Sequence, residues 1–293
     1  MINRVTGVLG ASSLVGSRIL IALAKTGSNV IAFSRKAHIQ TDSSIIWEQL
    51  HNNELAATIN LNSLGQIENW ICAAPIWVLI QYLPMLEKRG TKRIVAISST
   101  SVLTKQKSTN PDELNIVSKL AEAEQELQLW CQTRGIEWII LRPTLIYGYG
   151  KDKNITEVVR FIRRFRFFPV FGKARGKRQP LHADDLAEFI ARSLQAHEYK
   201  NRLYTVTGGE VLSYKDMILR IFAFLNQRPI LVSVPLWLFS VAVKLAPRYH
   251  RWSVNMAERM NQDHQFDCSE AMHDFNFQPR PFILTAEDLV IDR

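Results

Sequence analysis

This sequence has only three cysteines, Cys72, Cys131 and Cys268, and no CxxC pair. An odd, scattered set of thiols gives no disulfide framework and suits a reducing compartment. The seven histidines include no HExxH or other ligand spacing, so no metal site is expected. No GxSxG elbow is present, which removes the usual hydrolase nucleophile. No low-complexity tract or fixed-period repeat argues for a solenoid. No basic stretch followed by a long apolar run and a cleavage site opens the chain, so no signal peptide is expected. The most apolar later stretch, Ile230 to Ala246, is broken by Pro235 and Lys244 and is too short for a good membrane span. These absences together point to the cytoplasm, with the inner face of the membrane left open.

What is present is a chain of 293 residues, 47% hydrophobic and 22% charged. That is enough apolar material for a large core. The net charge of +9 is concentrated: ten basic residues lie between Lys151 and Arg178, opposed only by Asp152 and Glu157. Such a patch fits a nucleotide diphosphate, an anionic lipid surface or plain solvent. Nucleic acid is not expected, since no nucleic-acid module accompanies the charge.

The first half alternates strand-like and helix-like pieces. Arg4–Leu9, Asn29–Phe33, Ala57–Leu61, Trp70–Ala74, Lys92–Ser98 and Trp138–Leu141 read as strands, and Ser13–Lys25 and Asn115–Arg134 as helices. This alternation predicts an α/β fold, a Rossmann-type doubly wound parallel sheet with helices on both faces. Ligands of such sheets bind at the carboxyl ends of the strands. After Gly150 the texture changes to a basic amphipathic helix, a Gly/Lys/Arg-rich loop, a helix at His182–Leu194, a short strand at Leu203–Thr207, then helical and finally irregular sequence. The expected division is a dinucleotide-binding domain over 1–150, its sheet completed by about 181–208. A smaller, mostly helical C-terminal lobe then takes 151–180 and 209–293.

The first strand runs into Gly10-Ala11-Ser12-Ser13-Leu14-Val15-Gly16. A tight turn at a helix N-terminus offers amide donors and a positive dipole end to a pyrophosphate. The common three-glycine form has its middle glycine replaced here by Ser13. The second strand ends in Ser34-Arg35-Lys36. An acidic residue there would hold the ribose hydroxyls of NAD, whereas a basic pair matches the 2′-phosphate of NADP. NADP(H) is therefore expected over NAD(H).

These features, with several later segments, resemble the extended short-chain dehydrogenase/reductase family, and most of all its nucleotide-sugar epimerases, dehydratases and reductases. Ile97-Ser98-Ser99-Thr100-Ser101-Val102 is similar to the family strand that ends in the catalytic Ser/Thr, which implies that role for Ser99 with Thr100 beside it. Leu141-Arg142-Pro143-Thr144-Leu145-Ile146-Tyr147-Gly148 resembles the family's LRP-x-x-x-YG segment and puts Pro143 at the cofactor. Arg178-Gln179-Pro180-Leu181-His182-Ala183-Asp184-Asp185-Leu186 resembles a later segment whose arginine holds the substrate diphosphate, which implies that role for Arg178. By the same resemblance Asn60 and Leu61 bracket adenine, and Ala73, Ala74 and Pro75 line the cofactor ribose and pyrophosphate.

One departure changes the chemistry. The family's Y-x-x-x-K motif puts tyrosine and lysine one helical turn apart, so that the lysine lowers the tyrosine's pKa for proton transfer. Lys119 fits the lysine, but Asn115 stands where the tyrosine belongs, and the chain has no tyrosine between Tyr82 and Tyr147. An amide cannot act as acid or base. Three outcomes stay open. Tyr147, Ser99 or a water could take over the proton, with Tyr147 then facing the substrate. Hydride transfer with a hydrogen bond from Ser99 or Thr100 could suffice. Or the chain could be a non-catalytic NADP(H)-binding subunit or redox sensor. The expected partner is a nucleotide-sugar. A homodimer is left open, as is peripheral membrane contact through the apolar-then-basic stretch Leu236–Arg251.

Overall fold

In the computed structural model, the described residues are 5–38, 44–50, 65–104, 110–235 and 259–290. In chain order the elements begin β1 (Thr6–Leu9), α1 (Leu14–Lys25), β2 (Val30–Ser34), β3 (Ile45–Gln49), β4 (Asn69–Cys72), α2 (Ile76–Ile80) and α3 (Leu83–Lys88). They continue β5 (Arg93–Ile97), α4 (Ser101–Thr104), α5 (Pro111–Arg134), β6 (Glu137–Pro143), β7 (Ile146–Tyr147), α6 (Ile155–Phe165) and β8 (Phe168–Phe171). Then follow β9 (Lys177–Arg178), β10 (Leu181–His182), α7 (Ala183–Gln195), β11 (Arg202–Val206), β12 (Leu212–Ser213), α8 (Tyr214–Phe224) and β13 (Leu231–Val234). A short helix, Ser269–Phe275, and a 3-10 turn, Glu287–Leu289, complete the described elements. The strand expected at Ala57–Leu61 lies outside the described residues, as do Asn60 and Leu61 and the whole of Leu236–Arg251.

The chain forms two compact units. The first comprises Met1–Pro143, Ala183–Val206 and Cys268–Gln278. Its sheet has seven strands in the order β11-β6-β5-β4-β1-β2-β3, every neighbouring pair parallel. This is the doubly wound sheet that the alternation predicts. The central strands β1, β2, β4 and β5 are buried at every residue, which is why they are mostly apolar, with a polar residue only at a strand end: Thr6, Ser34, Asn69 and Arg93. The order reverses between β1 and β4, so a crevice opens there at the carboxyl ends.

Local sequence sets the helices that flank this crevice. Ser13 caps α1, whose buried face carries Val15, Ile19, Leu20 and Leu23. The long α5 starts at Pro111, four residues before the expected Asn115. Asn110 caps it by accepting from the Asp112 amide at 2.9 Å, and Asp112 and Glu113 favour the positive end of the dipole. Gly135, at φ 65°, stops it. The edge strand β3 (IIWEQ) escapes notice in the sequence because its burial is partial and does not alternate.

The second unit comprises Thr144–His182, Thr207–Asp267 and Pro279–Arg293. Residues 144–150, expected in the first domain, belong here: Thr144 Oγ1 donates to the Gln179 carbonyl at 2.6 Å, and β7 pairs with β10. Conversely Cys268–Gln278, expected in the smaller lobe, joins the first unit. Phe275 stacks on Phe189, Tyr199 and Tyr204, and Asp274 accepts from the Tyr204 hydroxyl at 2.6 Å. Among the second unit's described residues, three two-stranded ladders, β7–β10, β9–β12 and β8–β13, accompany the helices α6 and α8. Among the described residues no helix is long and apolar enough to cross a membrane.

Candidate functional site

The carboxyl end of β1 turns at Gly10, where φ is +76°. A Cβ on Gly10 would sit 2.6 Å from the Ala74 amide nitrogen, and one on Gly16 would sit 2.2 Å from the Gly10 carbonyl oxygen. Only glycine lets β4, the turn and α1 close on one another this tightly. Ser13 is different. Its backbone is extended (φ −70°, ψ 168°), a conformation any residue adopts, so nothing there requires a third glycine. Its hydroxyl accepts from the Gly16 amide at 3.0 Å and donates to the Ala73 carbonyl at 3.3 Å, tying the turn to β4. The turn residues Ser12 to Gly16 thus present the first amides of α1 beside Ala73-Ala74-Pro75.

The end of β2 adds the next wall. Ser34 is buried, shares a hydrogen bond with the Ser12 hydroxyl at 3.0 Å, and accepts from the Lys36 amide at 3.2 Å. Arg35 and Lys36 are exposed. Two residues on, His38 stacks on Trp47 of β3 with centroids 4.0 Å apart, a pairing that the separate residues do not announce in sequence.

At the end of β5 the three hydroxyls have different fates. Ser98 is buried and donates to Glu124. Ser99 is half-buried and caps the short α4, accepting from the Ser101 amide at 3.1 Å. Thr100 is buried, and its hydroxyl donates to the Pro143 carbonyl at 3.1 Å. Thr100 is therefore a tie between β5 and β6, not an available hydrogen-bond donor. Asn115 and Lys119 stand one turn apart on α5, both exposed. Five residues beyond Lys119, the buried Glu124 takes the Arg142 Nε at 3.0 Å and also its Nη2. This bidentate pair fastens α5 to β6, and sequence reading missed it because Glu124 resembles its exposed helix neighbours.

In the second unit two expected site residues have other work. Tyr147 is fully buried, its hydroxyl donates to the Ile283 carbonyl at 3.2 Å, and its ring packs edge-on against His182 and Phe282. A core tyrosine tied to a carbonyl is not placed as a substitute acid or base, so that expectation is withdrawn. Arg178 is buried and donates to the carbonyls of Lys177 at 2.7 Å, Gln262 at 2.8 Å and Arg259. Burial, and then Arg259 nearby, lower its pKa to about 10 against the pull of Tyr214 and Asp263. Its expected diphosphate role is replaced by one that holds residues 259–262 in place. Beside Tyr147, His182 meets Asp288 at 3.2 Å. Burial alone would raise the Asp288 pKa, but bonds from His182, Thr285 and Tyr149 outweigh it and hold the pKa at about 2.

No group of acidic, cysteine or histidine side chains that could hold a metal occurs among the described residues. The three cysteines are buried, and burial raises Cys72 and Cys131 to about 12, so neither is a ready nucleophile.

A parallel sheet with a glycine cradle at its reversal point narrows the choice of families, and one profile decides it. The NAD dependent epimerase/dehydratase family matches residues 7–206. The chain belongs to this family. Membership places it among the extended short-chain dehydrogenase/reductases. It is 22% identical over 200 residues to UDP-glucose 4-epimerase of Vibrio cholerae, a match covering 65% of this chain and 59% of that one. It is 23% identical over 206 residues to the uncharacterized protein y4nG of Sinorhizobium fredii, covering 65% and 50%. The chain thus spans little more than half the length of these relatives.

Solved structures of the family share the fold. MoeE5 in complex with UDP-glucuronic acid and NAD has a TM-score of 0.71 at 17% identity, covering 95% of this chain and 94% of that one. UDP-glucuronic acid 4-epimerase from Bacillus cereus, in complex with UDP-glucuronic acid and NAD, has a TM-score of 0.72 at 15% identity, covering 97% and 96%. The glycine turn at the carboxyl end of β1, leading straight into the Ser13-capped N-terminus of α1, fits the dinucleotide implied by this family.

Proposed function

We propose that this epimerase/dehydratase family member binds NADP(H) in preference to NAD(H) and acts on a nucleotide-activated sugar with an altered proton-transfer step. The observation that carries the reading is the close-packed turn at Gly10. It puts the amides of Ser12, Leu14 and Val15 at the switch point of the sheet, next to Ala73–Pro75, while those of Ser13 and Gly16 brace the turn through the Gly10 carbonyl and the Ser13 hydroxyl. The exposed Arg35 and Lys36 at the end of β2 offer two cations for a 2′-phosphate, with Ser34 as the buried hinge.

When bound, the nicotinamide ring supplies hydride transfer to or from a sugar carbon. Around it, Lys119 holds ribose hydroxyls and keeps a positive charge at the reacting centre. Pro143, at the carboxyl end of β6, would line the cofactor. Ser99 is the one hydroxyl at the end of β5 that is not fully buried, and it hydrogen-bonds the sugar oxygen. Asn115 donates a hydrogen bond to the same oxygen without taking its proton. With Tyr147 and Thr100 committed elsewhere, that proton leaves through Ser99 to water. A positioned general base contributes about 10²–10⁴-fold, so turnover is slow by that factor.

The test is twofold. NADPH and NADH titrations by nucleotide fluorescence should favour NADPH, and Arg35→Asp with Lys36→Ala should reverse the order. A panel of UDP- and dTDP-linked sugars is then assayed on the parent and on Asn115→Tyr. The tyrosine variant should gain about 10²–10⁴-fold in rate with some sugar of the panel. Absence of nucleotide binding at micromolar concentration sinks the whole reading. Binding without turnover in either protein leaves the second reading, a non-catalytic NADP(H)-binding subunit or sensor. That reading is favoured by one observation: no tyrosine stands at residue 115, and the Thr100 hydroxyl is spent on the Pro143 carbonyl at 3.1 Å.

A further inference from the structure

The basic stretch Lys151–Arg178 does not collect around Arg178. Much of its charge stands on the outer face of α6, opposite the buried stripe Ile155, Val158, Val159 and Ile162. Arg160 is engaged by Glu157 at 2.7 Å, and Arg163 Nη1 donates to the Leu289 carbonyl at 3.1 Å. Arg164 and Arg166 are exposed, and among the described residues neither is ion-paired. Arg164 lies 5.4 Å over the Phe165 ring.

Apolar surface accompanies this charge. Phe165 is 43% exposed and joins a ring cluster with Phe161 at 4.7 Å and Phe167 at 6.3 Å. The cluster continues through Phe168, whose amide donates to the Ile230 carbonyl at 2.9 Å. Ile230, just before β13, and Val232, on β13 where it pairs with β8, are two residues apart, and both are more than 40% exposed. Solvated charge alone would not be interleaved with exposed phenylalanine and β-branched side chains. A diphosphate site would not need them either.

We propose that α6 and the β8–β13 ladder form a docking surface for an anionic phospholipid bilayer. Phe165, Ile230 and Val232 enter the interface, and Arg164 and Arg166 meet the phosphates. Charge complementarity selects this occupant, and the physics is that of an interfacial amphipathic helix: apolar side chains dip into the headgroup boundary while flanking cations stay at phosphate depth. The sequence just after β13, Leu236–Arg251, is itself apolar and then basic, so the same chain region carries both features. The surface is independent of the nucleotide reading, and its failure would leave that reading untouched.

The experiment is flotation of the full chain with vesicles of phosphatidylcholine alone, or of phosphatidylcholine and phosphatidylglycerol in equal parts. The parent should float with the anionic vesicles, not with the neutral ones, and salt should weaken the association. Arg164→Glu with Arg166→Glu should lower partitioning by at least about 25-fold, at about five-fold per lost cation. Arg164→Lys with Arg166→Lys should retain it. Phe165→Ser keeps every charge and should leave only weak binding that salt removes, which covers the case of a double-glutamate variant that does not fold. Equal binding to neutral vesicles overturns the proposal. So does unchanged binding by folded glutamate variants, or by Phe165→Ser. Loss of affinity for duplex DNA or for a second copy of the chain, without vesicle binding by the parent, also overturns it.

Discussion

Replacement of Gly10 by alanine is the sharpest test of how the turn works. Two costs arise from separate causes. The residue sits at φ +76°, and an L side chain in the left-handed region costs about 1–2 kcal/mol. The added Cβ would also lie 2.6 Å from the Ala74 amide nitrogen and 2.9 Å from the Ala73 carbonyl carbon. Both are backbone atoms, so no side chain can swing aside, and β4 must part from the turn at an overpacking cost of about 1–3 kcal/mol. Together the expected loss is about 2–5 kcal/mol, read from urea unfolding. Because the strain falls where the pyrophosphate would lie, NADPH affinity should fall as well.

Ser13→Gly is the matched control. It restores the common three-glycine form, yet the serine backbone is already extended and glycine is a fair cap, so the change should cost only a few tenths of a kcal/mol. If Gly10→Ala unfolds within about 0.5 kcal/mol of the parent and binds NADPH equally well, the packing rationale fails. If Ser13→Gly proves the more damaging of the two, the assignment of roles within the turn is wrong.

Three further outcomes are expected. Glu124→Ala leaves the partly buried Arg142 guanidinium without its carboxylate, and should cost about 3 kcal/mol of unfolding free energy, the low end for a buried pair; Glu124→Ala with Arg142→Leu should recover part of that loss. Asp288 has its pKa lowered from 3.8 to about 2 in the folded chain, so it contributes about 2 kcal/mol that is fully present above pH 4 and lost as the pH falls through 2. Asp288→Asn should flatten the pH dependence of unfolding in that window, and an unchanged slope would refute the role. Arg178→Met should lower the melting temperature without selectively raising KM for a nucleotide-sugar, because its donors hold carbonyls of residues 259–262; a KM effect in a fully stable variant would return Arg178 to the substrate.

The sheet was readable because a strand buried on both faces is mostly apolar. IVAI in β5 and VIAF in β2 show this directly, with the buried Arg93 and Ser34 only at the strand ends, whereas β3 and the Ser269–Phe275 helix do not, since each is only partly buried. The absence of tyrosine at Asn115 is likewise a fact of sequence, because no conformation can supply a phenol that the chain lacks.

What the sequence by itself determined, then, is the order of the elements, the glycine turn beside a basic strand end, and the missing acid–base group. Only the tertiary structure decided which polar side chains are available. Thr100, Tyr147 and Arg178 all match a family pattern, yet each is buried with backbone carbonyls as acceptors. Glu124 matches nothing conspicuous and becomes an anchor. The reason is physical: a buried donor must find an acceptor, and the acceptors of Thr100 and Tyr147 come from residues 43 and 136 positions away, a relation that no local pattern encodes.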